Sequence, residues 1–306
     1  AGLLSGGCLE SDLHEHAAQV ITSGKAKRIT YDTRGSDDLL WGLGVGCEGA
    51  MQILLLRVGP DNGWQPLELF IMAHRRHERV AAAAVIASPY DTLPPGSVVL
   101  SDGPMPGRPL PESVRDDLQA LLARALASGL PGTLGGSSEP LWALAIPLAL
   151  PPRLLLLGGG PDAQPLAEFA ARLSWRITVY DHRPAYALPA RFPQAEQVVL
   201  GRPEALAQAV DLDSFDAAVV MSHHLPSDLL YLRALSASHI PYLGLLGPAI
   251  RREKLLADLG GDAARLDGRL RSPIGLNIGG RAPESIALSI VAEIHARLHG
   301  APGGPF

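Results

Sequence analysis

The second half of the chain alternates short apolar runs with stretches of helical spacing. From residue 153 onward, five runs rich in Leu, Val and Ile are closed by Gly, Pro or polar residues, and stretches of helical spacing separate most of them. The predicted strands cover residues 153–157, 176–181, 196–200, 216–222 and 241–246. The predicted helices begin near Asp162, Pro203, Ser227, Ala249 and Pro283. Strands that alternate with helices predict an α/β fold with a doubly wound parallel sheet of the Rossmann type.

The last helix has the clearest pattern in the chain. Four apolar residues recur at intervals of four: Ile286, Ile290, Ile294 and Leu298. Pro283 suits the first turn of a helix, and Gly300 suits the position just past its end.

The first half shows shorter and more varied patterns. One helix, ended by Gly24, is predicted from four apolar residues at helical spacing: Leu13, Ala17, Val20 and Ile21. Apolar runs predict strands at residues 51–58, 67–73 and 80–87, and a connecting helix is predicted over residues 111–128 between loops rich in Gly and Pro. We therefore predict a smaller, glycine-rich mixed α+β domain over residues 1–150 and a Rossmann-like nucleotide-binding domain over residues 151–306.

Composition and charge narrow the class of protein. A length of 306 residues suits about two domains, and 47% hydrophobic against 19% charged residues indicates a packed globular chain. A formal charge of -5 argues against a nucleic-acid partner, and no apolar run is long enough to predict a membrane span. With two cysteines, a disulfide scaffold is excluded, and a reducing, cytoplasmic location is expected.

A glycine-rich turn follows the first strand of the predicted Rossmann domain. Gly158, Gly160 and Ala163 form a G-x-G-x-x-A pattern between that strand and the next helix. The first glycine allows the tight turn, the second lets a phosphate approach the backbone, and the alanine lets the helix pack closely. Asp181 lies at the end of the second strand, where a carboxylate can accept hydrogen bonds from ribose hydroxyls. The turn therefore predicts nucleotide binding.

Two charged residues near the turn change this picture. Asp162 stands at the start of the helix, where its carboxylate is expected to cap the amides and to repel a pyrophosphate, which weakens simple NAD binding. Arg183 is a candidate contact for a ribose phosphate, with a solvated surface arginine as the alternative. A Rossmann turn that serves only as scaffold also stays open.

Two histidines follow the fourth predicted strand. Because ligands of open parallel sheets bind outside the carboxyl ends of the strands, His223 and His224 point to the same crevice as the glycine turn. Imidazoles bind metals or move protons, but adjacent side chains point apart, which favours a site that uses one of the two. The Asp228 carboxylate is a candidate third member of this histidine cluster. Alternatively, Asp228 caps the helix that begins near Ser227.

Both cysteines lie in glycine-rich segments. Gly6 and Gly7 precede Cys8, and Gly46 precedes Cys47. Glycine lets the backbone approach a ligand closely and leaves a thiol accessible, whereas structural packing of each cysteine is the alternative. A functional pair would ligate a soft metal, carry a persulfide or hold a sulfur-rich cofactor.

These motifs, taken in order, resemble the xanthine dehydrogenase accessory factor (XdhC/CoxI) family. The resemblance covers nearly the whole chain and rests on residues 5–10, 44–49, 158–163, 179–183, 221–224, 244–247, 272–276 and 281–284. Members normally carry a further segment before the first motif. Because the chain opens at Ala1 without a Met, we expect upstream sequence.

The resemblance implies an assembly factor of the cytoplasm, often a homodimer, rather than a metabolic enzyme. Such a factor binds molybdenum cofactor, as molybdopterin or a dinucleotide form, assists its sulfuration and inserts it into xanthine dehydrogenase or a related molybdenum hydroxylase. A cysteine desulfurase is a candidate further partner. We assign the chemistry to Cys8, Cys47 and His223, with the two thiols as candidate ligands of the molybdenum. The residues expected to contact the cofactor are Gly6, Gly7, Gly46, Gly158, Gly160, Asp162, Asp181, Arg183 and His224.

Two rival interpretations remain. One is a nucleotide-dependent enzyme, either an NAD(P) oxidoreductase or a nucleotidyl transferase that acts on the cofactor, with His223 or His224 as acid or base. The other is a partner-docking module whose Rossmann site binds nothing.

Overall fold

The computed structural model describes residues 9–32, 50–105 and 110–305. The chain divides into two compact units, Ala1–Leu150 and Pro151–Phe306. None of the described helices combines the length and the apolar character that a membrane span requires.

The first unit contains two antiparallel sheets and three helices in its described part. Its helices are α1 (Glu10–Ser23), α2 (Leu67–Arg76) and α3 (Glu112–Ser128). Its strands are β1 (Lys27–Asp32), β2 (Ala50–Leu55), β3 (Ala81–Ala87), β4 (Val98–Leu100), β5 (Gly132–Leu134) and β6 (Trp142–Pro147). Strands β1 and β2 pair with each other, and the others form a sheet in the order β4-β3-β6-β5. The buried face of α3 packs on this second sheet, where alanines of β3 and β6 leave room for its leucines.

Two of the predicted helices of this unit are confirmed. Helix α1 ends at Gly24, whose left-handed backbone (φ 68°) closes the helix as the sequence predicts. Helix α3 covers residues 112–128, within one residue of the predicted connecting helix.

The strand predicted at residues 67–73 is wrong, because this segment lies in helix α2. The prediction took a continuous apolar run as a buried strand, but a short run of this kind cannot be told from a helix by its periodicity. Leu, Glu, Met and Ala, which are good helix formers, dominate the segment, and Ile71 is its one β-branched residue. Of its residues only Ala73 is buried, so helix α2 does not form a core element of the kind the prediction assumed.

The second unit is a six-stranded parallel sheet with helices on both faces. Its strands are β7 (Arg153–Leu157), β8 (Arg176–Asp181), β9 (Gln197–Leu200), β10 (Ala217–Val220), β11 (Tyr242–Leu245) and β12 (Leu270–Arg271). Its helices are α4 (Ala163–Arg172), α5 (Leu206–Ala209), α6 (Leu225–Ser236), α7 (Ala249–Leu259) and α8 (Pro283–Leu298). The sheet order is β9-β8-β7-β10-β11-β12, and every pair is parallel. This is the strand order of the Rossmann fold, so the predicted fold class is confirmed.

Strand β7 shows why the central strands read as unbroken apolar runs. Leu154 and Leu156 pack in the core with α4 and α8, whereas Leu155 and Leu157 pack in the core with α6 and α7. All four leucines are fully buried, because both faces of the sheet are covered.

Two helix starts differ from the sequence prediction. The helix expected near Pro203 is a short 3-10 turn followed by the single turn of α5. The helix expected near Ser227 begins two residues earlier, at Leu225, with Pro226 in its first turn.

The strand order places a crevice at the carboxyl edge of the sheet. The chain runs outward from β7 through β8 to β9 and then returns to β10 on the other side of β7. The loops that leave β7 and β10 therefore diverge to opposite faces, which is where Rossmann folds bind ligands.

Candidate functional site

The glycine turn after β7 is tight at its first residue and open at its third. Gly158 has a φ of 128°, and a Cβ built there would lie 2.6 Å from the backbone of Met221 and Ser222 at the end of β10. Any other residue at this position would therefore clash with backbone atoms. A Cβ at Gly160 would meet no atom closer than Cδ2 of His223, at 4.0 Å. Free space thus exists at Gly160, where the sequence predicts that a phosphate approaches.

A buried carboxylate holds the turn to the end of β8. Asp181 accepts the backbone N–H of Gly159 (2.7 Å), the backbone N–H of Arg183 (2.8 Å) and, from the Arg183 guanidinium, Nε (2.9 Å) and Nη2 (2.7 Å). Burial alone would raise the pKa of Asp181, but the hydrogen bonds from Arg183 and Gly159 outweigh it and lower the pKa below its usual value. Asp181 is fully buried, and its oxygens are occupied by these four donors. Its predicted role as a ribose acceptor stays a prediction.

Two arginines lie beside the same turn. The guanidinium of Arg183 stacks on the ring of Tyr186 at 4.1 Å, and that of Arg191 lies 5.1 Å from the same ring. Arg191 also contacts Gln164 in the first turn of α4 (3.4 Å). The segment that carries these residues packs on the turn, because a Cβ at Gly159 would lie 2.5 Å from the Tyr186 carbonyl oxygen. Arg183 is paired with Asp181, so Arg191 is the arginine of the two that adds positive charge near the α4 N-terminus, which itself favours anions.

Asp162 and His223 form a pair across the crevice. His223 Nε2 lies 2.9 Å from Asp162 Oδ2, which joins the end of β10 to the start of α4 beside Gly160. The predicted capping role of Asp162 is wrong, since its side chain makes no capping hydrogen bond to α4. His223 has a left-handed backbone (φ 60°), which directs its ring to this carboxylate. The Asp162 carboxylate is thus engaged by His223 rather than by the amides of α4.

His224 points away from His223, as expected for adjacent residues. Its Nδ1 lies 2.8 Å from Ser227 Oγ, and its ring centroid lies 5.7 Å from that of His182, at the end of β8. Sequence reasoning missed His182, although its place directly after the strand-end Asp181 was a visible signal. The structure thus brings three imidazoles to the carboxyl edge of the sheet.

A buried network of hydrogen bonds among Ser222, Asp228 and Arg251 holds the backbone of His224. The Asp228 carboxylate, which is fully buried, accepts hydrogen bonds from the Ser222 hydroxyl and from Arg251 Nη2 (2.6 Å). Ser222 Oγ in turn accepts the backbone N–H of His224 (3.2 Å). The alternative that Asp228 caps the helix is wrong, because α6 begins before it and its carboxylate has these other partners. The network fixes the backbone from which His224 projects.

The cysteine predictions lie outside the described residues. Cys8 and Cys47, with Gly6, Gly7 and Gly46, belong to segments that the structure does not describe, so their roles stay predictions. Within residues 9–32, 50–105 and 110–305, no three His, Cys, Asp or Glu side chains are grouped as metal ligands.

Comparison with known proteins identifies the family. The model of the XdhC Rossmann domain matches residues 154–294. A protein of Bacillus subtilis (strain 168), named as a probable subunit of xanthine dehydrogenase, is 32% identical over 293 residues, which cover 96% of this chain and 83% of that relative. The "Uncharacterized protein YqeB" of Escherichia coli (strain K12) is 31% identical over 156 residues, or 50% of this chain and 28% of that protein.

A solved structure supports the same assignment. A crystal structure from Bacillus halodurans, described as a xanthine dehydrogenase, superposes with a TM-score of 0.75 at 28% sequence identity. The match covers 98% of this chain and 83% of that one. The family resemblance that the sequence motifs predict is confirmed by these matches. The chain belongs to the XdhC family.

Proposed function

We propose that this chain binds molybdenum cofactor and inserts it into xanthine dehydrogenase or a related molybdenum hydroxylase. The observation that carries the proposal is the open glycine position at Gly160, at the N-terminus of α4 and beside Arg183 and Arg191. The names of the Bacillus relatives support the choice of target enzyme, because both refer to xanthine dehydrogenase.

The crevice fits the phosphate or nucleotide end of such a cofactor. The free space at Gly160 lets an anion reach the first amides of α4, and Arg191 adds positive charge nearby. Asp162 opposes an anion here, but its carboxylate is held by a contact with His223 Nε2, 2.9 Å away. In this proposal Gly158 shapes the turn, Gly160 admits the phosphate, and His223 holds the Asp162 carboxylate.

The crevice fits a nicotinamide dinucleotide less well. Recognition of NAD by a Rossmann fold uses a strand-end carboxylate that accepts the ribose hydroxyls. The four donors from Gly159 and Arg183 already occupy the oxygens of Asp181. We therefore favour a ligand held through its phosphate over the rival NAD(P) oxidoreductase.

The two thiols complete the proposal. Cys8 and Cys47 are expected to hold the metal end of the cofactor or the sulfur destined for it, since thiolates suit a soft metal. The bound cofactor would supply the molybdenum centre itself. A cysteine desulfurase as sulfur donor, a homodimer and a cytoplasmic location belong to the same proposal.

One substitution tests the phosphate position directly. Gly160→Val should keep the fold, because Gly160 has an ordinary φ and no atom nearer than 4.0 Å, but it fills the space the phosphate needs. We expect at least a tenfold loss of the pterin and molybdenum that co-purify from a host with an active cofactor pathway. Gly261→Val is the matched control, because a Cβ there meets no atom within 4 Å. Equal content in both variants would contradict the proposal.

A second set of variants tests the thiols. Cys8→Ala and Cys47→Ala should each lower the molybdenum retained by the chain, measured against the retained pterin. Retention that is unchanged in both variants would remove the thiols from the mechanism. Thermal stabilisation of the chain by NAD(P) would instead support the rival enzyme, because a ligand that binds the folded state raises its stability.

A further inference from the structure

Two histidine rings face each other at the tips of strands that flank β7. His182 follows β8 and His224 follows β10, and their ring centroids lie 5.7 Å apart with an angle of 40° between the planes. The Nδ1 atom of each ring lies near another side chain. His224 Nδ1 is 2.8 Å from Ser227 Oγ, and His182 Nδ1 is 3.6 Å from Asp181 Oδ1. No described residue makes a hydrogen bond to either Nε2.

We propose that His182 and His224 form a two-nitrogen site for a divalent transition metal such as Zn²⁺ or Ni²⁺. Neutral imidazole nitrogen is a preferred ligand of these ions. A structural zinc site would need more protein ligands than the described residues supply, so the remaining positions here are open to water or to an anionic ligand. The inference goes beyond the proposed function and does not rest on it.

The ring separation suits a shared ion. A metal about 2.0–2.1 Å from an imidazole nitrogen lies roughly 3.2 Å from the ring centroid. Two such rings at a tetrahedral angle would have centroids about 5.2 Å apart, and an angle near 125° gives the observed separation. The centroid separation is therefore compatible with one ion bound by both Nε2 atoms.

The groups behind both rings match the usual support of metal-bound histidines. A ligating histidine normally donates its second ring N–H to a carboxylate, a carbonyl or a hydroxyl oxygen, which orients the ring and makes it a better ligand. Ser227 Oγ lies 2.8 Å from His224 Nδ1, so it would accept the Nδ1–H of His224 when Nε2 binds the ion. His182 Nδ1 is buried without a hydrogen-bond partner and lies 3.6 Å from Asp181 Oδ1, an oxygen that already accepts two hydrogen bonds from Arg183. A metal on Nε2 would place the ring proton on Nδ1, on the side of this carboxylate.

The carboxylates near His182 and His224 are paired with arginines, so the local charge permits a cation and an anion to bind together. Asp181 is matched by Arg183, and Asp228 is matched by Arg251, so no free carboxylate of these two competes for the ion. The added charge of a divalent ion would then favour an anionic oxygen ligand in the open positions. Inorganic phosphate, added in a chloride-free buffer, is the probe for this anionic ligand.

The test measures metal binding by the full chain in a background without other strong ligands. Cys8→Ser and Cys47→Ser remove the thiols, and His299→Gln removes the close pair of rings that His299 forms with His295. Zn²⁺ affinity is measured by competition with a chromophoric chelator, and Cu²⁺ electron paramagnetic resonance counts the ligating nitrogens. We expect one ion per chain with two imidazole nitrogens, and tighter binding when inorganic phosphate is added.

Variants then assign the ligands. His182→Gln and His224→Gln should each lower Zn²⁺ affinity at least tenfold, and Ser227→Ala about tenfold, because supporting groups typically contribute 10–100-fold. His239→Gln, which alters an exposed histidine paired with Asp213, should have no effect. His182→Cys should restore Zn²⁺ binding, which a merely structural role for His182 would not allow. Unchanged affinity in both glutamine variants, or failure of the cysteine rescue in a folded protein, would overturn the site.

The outcomes separate this site from the proposed function. Gly160→Val should leave Zn²⁺ affinity unchanged, because it fills the phosphate position and not the space between the rings. Loss of cofactor without loss of Zn²⁺ binding would support both proposals. Zn²⁺ binding that is insensitive to His182 and His224 would overturn this inference alone.

Discussion

The ion pair between Asp181 and Arg183 should dominate the stability of the glycine turn. Arg183→Met keeps the length of the side chain but removes two of the four donors to a carboxylate that is fully buried. Removing one partner of a buried ion pair typically costs about 3–5 kcal/mol, because it leaves a buried charge unpaired. Arg183 itself is 31% exposed, so water can reach part of the vacated space, and we expect the free energy of unfolding to fall by about 3 kcal/mol.

A matched substitution lies at the other end of β8, the strand that Arg183 follows. Arg176 bonds Glu196 through Nε (2.8 Å) and Nη2, but Glu196 is 46% exposed. Exposed pairs contribute at most about 1 kcal/mol, so Arg176→Met should cost far less than Arg183→Met. Native-state hydrogen exchange of the β7 and β8 amides measures both losses within the second unit, without assuming that the two units unfold together.

The loss from Arg183→Met should also depend on pH. In the wild-type chain the folded pKa of Asp181 is lowered, so its contribution to stability is present above the unfolded pKa and is lost as the pH falls through the folded pKa. In the variant, the side-chain hydrogen bonds and the charge of Arg183 no longer oppose burial, so the folded pKa of Asp181 should lie above that of the wild-type chain. The difference in free energy of unfolding should therefore be largest near neutral pH and shrink towards about pH 4. Equal losses in the two methionine variants, or a loss independent of pH, would refute this reasoning.

Two further predictions concern the glycine turn and the first unit. Gly158→Ala should prevent folding of the second unit or lower its free energy of unfolding by more than about 4 kcal/mol, since the Cβ would lie 2.6 Å from backbone atoms. Gly160→Ala should change the free energy of unfolding by less than about 1 kcal/mol. Thermal melts followed by circular dichroism compare the two variants, and similar melting temperatures would contradict the geometry. In the first unit, burial and then the hydrogen bond and charge of Asp12 raise the pKa of Tyr31 to about 12. A difference absorbance titration against Tyr31→Phe should find this ionisation, and Asp12→Asn should shift it towards its usual value; no shift would disprove the contact.

Local sequence patterns predicted the fold of the second unit closely. Strands β7 and β8 match the predicted residues 153–157 and 176–181, because a strand covered on both faces must be apolar along its whole length. The last helix was equally clear, since its apolar residues recur at helical spacing and Pro283 marks its start. The run at residues 67–73 failed because a short apolar segment carries no periodicity that separates helix from strand.

The candidate site was predicted only in part, because its contacts join residues far apart in sequence. Asp162 and His223 were both singled out, but nothing local shows that the carboxylate turns from its helix to an imidazole 61 residues away. Asp181 was correctly placed at a strand end, yet its four donors depend on how Arg183 folds back and where Gly159 lies. His182 was missed because its meeting with His224 requires β8 and β10 to flank the same strand.

The sequence by itself determined the class of fold, the order of the elements and the family of this chain. Hydrophobic periodicity and glycine position act over a few residues, so they can be read without knowing the rest of the structure. The tertiary structure decided which polar groups meet at the crevice. The parallel order β8-β7-β10 brings the ends of three separated segments to one edge, and there burial and hydrogen bonding select the partner of each charge.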